Sequence, residues 1–186
     1  MNELWLILFS VVLLFGALRE GQYILIYYTM WTFILETVFF GLLVFKKESI
    51  ALKIFPFIFA PAIVVCIGFW IIVAPAARAA PITNIVLTIV THGLNMIALL
   101  LQPYKVYMKD LWKPITYTTI YNIFLAIYSG SGGRSISGKL PYWYAQYDTP
   151  IGWIFGFLAI TASMSVHIFT SSRPDKKIIK TKVITV

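Results

Sequence analysis

The chain has 186 residues, 60% hydrophobic and 12% charged, with a mean hydropathy of +0.84 and a formal net charge of +8. Soluble domains are about half apolar and about one quarter charged, so this composition excludes an ordinary soluble domain and indicates an all-α, polytopic integral membrane protein. The single Cys66 excludes an intramolecular disulfide framework.

Six apolar segments occupy residues 3–18, 23–45, 54–77, 83–102, 111–130 and 150–170. Most reach the roughly 20 residues that a helix needs to cross about 30 Å of hydrocarbon, and the first is short. The expected architecture is a bundle of six transmembrane helices over residues 1–172, followed by a basic tail, 173–186. The first segment has no basic start and no small-residue cleavage site, so it reads as a span and not as a cleaved signal. A four-residue turn at 19–22 makes it an antiparallel neighbour of the second.

The second segment carries Thr29, Thr32 and Glu36 at offsets of three and seven, which puts them within about 60° of one another on a helix. The third holds Pro56, Pro61 and Pro75 and no strongly polar side chain; it reads as kinked scaffold. In the fourth, Asn84 is followed by Thr88, Thr91, His92 and Asn95 at offsets of four, seven, eight and eleven. These fall on one side of a helix. Each polar group left in hydrocarbon without a partner costs several kcal/mol, so such a stripe must face protein or a cavity. The fifth segment presents Thr118 and Asn122 one turn apart, and the sixth presents a small-residue face at Gly152, Gly156, Ala159 and Ser163 suited to close helix packing. Between them lies a glycine-rich loop ending in Pro141-Tyr142-Trp143-Tyr144, an amphipathic run suited to the membrane interface and placed to cover a cavity mouth.

The basic residues sort by side. Lys46, Lys47, Lys53, Lys105, Lys109, Lys113, Arg173, Lys176, Lys177, Lys180 and Lys182 fall on one side of a six-span chain, and Arg19, Arg78, Arg134 and Lys139 on the other. The positive-inside rule then places both termini in the cytoplasm. The excess charge reports topology and contact with anionic lipid, and no nucleic-acid partner is expected.

In that topology the second and fourth spans run in the same direction. Thr29 and His92 differ in depth by about 5 Å at 1.5 Å per residue, so they can meet. A hydroxyl beside an imidazole can form a nucleophile–base pair, although a threonine bonded to its own helix and a structurally satisfied histidine are the commoner uses of these residues. Apart from Glu3 at the very start of the first segment, Glu36 is the only acid inside a span. It could orient His92 as the third member of a triad or serve as a structural residue bonded across helices; its greater depth favours the second. Thr32, Glu36, Asn95 and Asn122 are candidates to line the pocket. Two histidines raise the possibility of bis-histidine haem, but a depth difference of about 12 Å between His92 and His167 argues against it. No HxxxH, HExxH or paired-cysteine motif is present, so neither metal nor cofactor is expected.

The run Tyr27-Tyr28-Thr29-Met30-Trp31-Thr32 with Leu35-Glu36-Thr37-Val38-Phe39-Phe40-Gly41, the segment Thr91-His92-Gly93-Leu94-Asn95, and the stretch from Tyr117 to Tyr128 followed by Gly138 and Pro141-Tyr142-Trp143-Tyr144 resemble, in order, segments of the androgen-induced multipass membrane family and its rolling-stone-like relatives. The resemblance covers residues 23–152. It implies an intramembrane threonine hydrolase acting on esters of fatty acids with hydroxy fatty acids, with Thr29 as nucleophile and His92 as base. Asn95 stands where that family often has a second histidine, and the approach to the loop is richer in Gly and Ser; both departures bear on the substrate. Membrane lipids and a lipid ester are the expected partners. The alternative is a non-catalytic accessory or scaffold subunit with protein partners in a membrane assembly.

Overall fold

A computed structural model describes residues 1–73, 88–135, 138, 140, 142 and 146–172. Every regular element among them is helical: α1 (Asn2–Glu20), α2 (Tyr28–Val44), α3 (Glu48–Gly68), α4 (Asn95–Leu100), α5 (Trp112–Gly130) and α6 (Pro150–Ser171). Short 3-10 and π turns extend or join them at Gly21–Ile26, Phe69–Val73, Val90–Leu94 and Met108–Asp110. Three helical stretches are long and apolar enough to cross a membrane, Asn2–Ile26, Glu48–Ile71 and Pro150–Ser171, while Tyr28–Val44 and Val90–Leu100 are shorter apolar helices. Pro75, Arg78, Asn84, Lys139, Pro141, Trp143, Tyr144 and the tail 173–186 lie outside the described residues.

Large apolar side chains are exposed on the surface, and several polar side chains are buried within the apolar core. On α1, Leu4, Ile7, Val11, Leu14 and Leu18 are all exposed, a stripe at steps of three and four that water would not tolerate and lipid would. Thr32, Glu36, Asn95, Ser163 and His167 are each 0% exposed. α2 lies between α1 and α3, α3 also meets α4, α5 and α6, and α5 packs along α6. A phenylalanine cluster locks the first three helices together: Phe9 meets Phe33 at 4.5 Å and Phe40 at 5.6 Å between ring centroids, and Phe39 meets Phe55 at 5.5 Å. Such ring pairs add about 0.5–1.5 kcal/mol each beyond the area they bury.

Several boundaries differ from the periodicity reading. α1 continues to Glu20 and stops at Gly21, whose φ of +57° is in the left-handed region that glycine tolerates. The chain does not turn directly into a long second helix at residue 23. It makes the 3-10 stretch, passes through extended Tyr27 (φ −98°, ψ 129°) and starts α2 at Tyr28. The break is tolerated because side chains satisfy the carbonyls it frees: Trp31 Nε1 donates to Leu25 O at 2.6 Å and Tyr121 Oη to Ile26 O at 2.6 Å. Thr29 therefore sits in the first turn of α2. α3 begins at Glu48 and runs through both Pro56 and Pro61, each of which removes one amide donor from the helical ladder. Lys113, in the first turn of α5, pairs with Asp110 at 2.8 Å and donates to Lys53 O at 3.5 Å, joining the starts of α3 and α5.

Candidate functional site: a hydroxyl–imidazole pair at the start of α2

Thr29 Oγ1 lies 3.1 Å from His92 Nε2. Two local departures from α-helix make this contact. The break at Tyr27 brings Thr29 to the helix start, and the π turn Val90–Leu94, closed by the Asn95 amide bonding Val90 O, carries the histidine. Single π turns inside α-helices recur at functional sites because the extra residue re-aims a side chain.

The protonation pattern of the imidazole follows from its other contacts. Nδ1 is 3.2 Å from Thr88 O and 2.9 Å from Thr91 Oγ1. A carbonyl can only accept, so Nδ1 carries the proton and Nε2 presents its lone pair to the Thr29 hydroxyl, which donates. Phe69, from the π turn that extends α3, stacks on the imidazole at 3.8 Å between centroids and 26° between planes. The ring is thus held at one edge by the fourth segment, at the other by Thr29, and on one face by Phe69. Together these groups form a threonine hydroxyl, a base in the tautomer able to accept its proton, and a fixed orientation, as nucleophilic catalysis requires.

The remaining sequence candidates have separate places. Thr32, fully buried one turn along α2, donates to Tyr28 O at 3.1 Å and meets Tyr117 Oη at 3.2 Å. Glu36 lies deeper; its Oε1 accepts from Asn95 Nδ2 at 3.5 Å, and its Oε2 has no hydrogen-bond partner among the described residues. The groups that hold His92 Nδ1 are Thr88 and Thr91, and Glu36 is not among them. Asn122 is tied to packing instead of to the pair: Nδ2 donates to Thr118 O at 2.9 Å and to Gly156 O at 3.4 Å, and Oδ1 accepts from Tyr147 at 2.9 Å. A Cβ at Gly156 would come within 3.1 Å of Asn122 Oδ1, so the small residue permits this helix contact. His167, also fully buried, donates from Nε2 to Tyr107 O at 2.9 Å, anchoring α6 to the segment before α5.

Residues outside the site candidates drawn from the sequence complete the surroundings. Tyr28 Oη bonds Thr118 Oγ1 at 2.7 Å, and Thr118 bonds Ser163 at 3.3 Å, a line across α2, α5 and α6. Tyr142, from the loop between α5 and α6, accepts the Tyr28 amide at 3.0 Å and packs edge-on to Tyr27 at 5.9 Å. Thr29 and Tyr121 are its side-chain hydrogen-bond partners, and burial pushes its phenol up to about 12, so it is a neutral donor at ordinary pH. The amphipathic character of the loop and its place in the family resemblance were the sequence signals pointing to it. Comparison with family models, with curated proteins and with solved structures found no match for the chain.

Proposed function

We propose that the chain is a multi-pass membrane hydrolase of lipidic carboxylic esters, with six spans and both termini cytoplasmic, using Thr29 as nucleophile and His92 as general base. The observation that carries this reading is the 3.1 Å contact between Thr29 Oγ1 and an imidazole nitrogen whose lone pair faces it. The apolar exterior and the meeting of the lysine-bearing starts of α3 and α5 at Lys53 and Lys113 support the topology. The resemblance of residues 23–152 to the androgen-induced multipass family supports fatty acid esters of hydroxy fatty acids as the substrate class.

In the reaction, Thr29 Oγ1 attacks the ester carbonyl carbon while its proton passes to His92 Nε2. The carbonyl π pair moves onto oxygen. Collapse of that intermediate breaks the bond to the alcohol, which takes the proton from Nε2, leaving Thr29 acylated. Water then attacks the acyl carbon, gives a proton to Nε2, and collapse releases the acid and returns the proton to Thr29. The Thr88 carbonyl holds the proton on Nδ1 and Phe69 holds the ring plane, so Nε2 is the nitrogen that takes and returns each proton.

The test uses detergent-purified full chain with a branched fatty acid ester of a hydroxy fatty acid, beside labelling by a fluorophosphonate probe. Wild type is expected to hydrolyse the ester and to label, and Thr29→Ala and His92→Ala to do neither. Folded wild type without either activity would remove the enzyme reading in favour of a non-catalytic subunit. Normal turnover by Thr29→Ala would remove the nucleophile.

A further inference from the structure

We propose that the Tyr142 phenol is the donor that binds the oxyanion formed at Thr29; the inference rests on the ester-hydrolase reading above. Ester hydrolysis places a full negative charge on the former carbonyl oxygen, next to the nucleophile. In a site screened from water that charge needs a fixed hydrogen-bond donor about 2.7–3.1 Å away. Neither Thr29 nor His92 can supply it, because both protons in their contact are committed: the hydroxyl donates to Nε2, and Nδ1–H to Thr88 O.

Among the described hydroxyls around Thr29, Tyr142 is the one whose proton can be turned to the reacting oxygen. Tyr28 Oη is engaged with Thr118 on the far side of α2, and Thr32 Oγ1 donates down its own helix to Tyr28 O. Tyr121 spends its proton on Ile26 O at 2.6 Å. Tyr142 differs. Its oxygen receives the Tyr28 N–H at 3.0 Å, which fixes the phenol beside the residue preceding the nucleophile. Its hydrogen-bonding neighbours are the hydroxyls of Thr29 and Tyr121. The Tyr121 proton is donated to Ile26 O, so towards Tyr142 both Tyr121 Oη and Thr29 Oγ1 are acceptors, and the Tyr142 O–H can turn to either. A substrate carbonyl entering to bond Thr29 brings its oxygen into the same reach, and the O–H turns to the developing oxyanion. No covalent bond of Tyr142 breaks, and its proton remains on the phenol through both acylation and deacylation. The Tyr28 amide, donating into the phenol oxygen, polarises the O–H further.

This role has a signature that a packing role lacks. An oxyanion donor distinguishes C=O from C=S, because sulfur is a weaker acceptor and sits farther from carbon. The experiment compares p-nitrophenyl octanoate with its thiono analogue on the full chain in detergent micelles. Tyr142→Phe is expected to lower kcat for the oxygen ester by about 10²–10³, the usual loss for one oxyanion donor, with KM little changed and the thionoester affected far less. The oxygen-to-thiono rate ratio then collapses. A second series, 3-fluorotyrosine and 3,5-difluorotyrosine at position 142, keeps the oxygen that accepts the Tyr28 amide and changes only donor acidity; the same ratio is expected to rise with acidity. Equal losses on both esters in Tyr142→Phe, an unchanged oxygen ester rate, or a ratio indifferent to fluorination would each overturn the assignment. If wild type turns over and depends on Thr29 while the ratio stays fixed in every Tyr142 variant, this inference alone fails. If wild type shows no turnover of either ester, the hydrolase reading fails with it.

Discussion

Replacing Glu36 and Asn95, singly and together, separates packing from chemistry in the polar interior. Both side chains are 0% exposed, and their one mutual hydrogen bond is 3.5 Å long, beyond the usual 2.7–3.2 Å. Glu36 Oε2 has no partner among the described residues, so the carboxyl already carries an unmet desolvation cost. Asn95→Leu removes the one group among the described residues bonded to Oε1 and leaves a second buried oxygen unpaired, at about 1–3 kcal/mol. For a chain of this size about 2 kcal/mol corresponds to a Tm lower by roughly 4–8 °C. Glu36→Met strands Asn95 Nδ2 at a similar cost but also abolishes the unpaired Oε2, so the two terms cancel to within about 1 kcal/mol. The double variant removes both groups and recovers most of the Asn95→Leu loss. The resulting coupling energy should be about 1–2 kcal/mol, above the mean of about 0.6 for polar pairs between membrane helices and near the largest measured for them. Thermal unfolding of the four proteins in one detergent measures the cycle, and ester turnover measured alongside should persist in Glu36→Met. Turnover lost in Glu36→Met at unchanged Tm would refute the reasoning, because it would make the carboxyl part of the chemistry. A double variant as unstable as the sum of the singles would refute the pairing.

Two further outcomes follow from contacts at the site. Phe69→Leu removes the ring stacked on His92 while keeping apolar volume. The imidazole loses one wall, and kcat is expected to fall about tenfold, equivalent to roughly 1.4 kcal/mol of lost positioning, with fluorophosphonate labelling slowed in parallel; undiminished kcat would show that the stack positions nothing. Tyr142 bears on alkaline stability. Its phenol is raised to about 12 by burial, above the ordinary value of 10.0, so the folded chain retains a proton that the unfolded chain gives up. Its contribution is fully present below pH 10 and is lost as pH rises through about 12, and wild-type Tm should drop more steeply over that window than the Tm of Tyr142→Phe. Identical slopes would contradict the burial of that hydroxyl.

The inward-facing stripes were legible in sequence because a period of 3.6 residues is a property of the helix itself. Thr29, Thr32 and Glu36 do share one buried face, and Thr91 and Asn95 share another. Depth counting brought Thr29 level with His92 through a simplification: it assumed an unbroken helix from residue 23, whereas α2 begins at Tyr28. The break leaves no periodic trace, since Gly21–Ile26 is as apolar as the helix it precedes, and what permits it, Tyr121 and Trp31 reaching back to free carbonyls, is tertiary. The Val90–Leu94 π turn was equally hidden, because one widened turn displaces the stripe by less than the stripe's own width. Tyr142 joins the site from 114 residues away along the chain, a proximity that no local pattern encodes. Asn122, a candidate for pocket lining one turn from Thr118, has hydrogen bonds that its spacing did not reveal: its amide bonds Thr118 O and Gly156 O, between α5 and α6.

The widened turn at Val90–Leu94 also sets a reading frame. Its amide bond spans five residues where an α-helix spans four, so the segment before it is indexed one residue out of step with the Ala98 and Leu99 that anchor α4 in the core. Loss of one residue there, Gly93 for instance, would let the helix close to regular α and swing His92 by about 100° relative to that anchor. Ala98 and Leu99 could keep their places, and the bundle its hydrophobicity, while the imidazole left Thr29. A single-codon deletion would thus separate two properties that ordinarily fail together, a membrane bundle that assembles and a site that is in register.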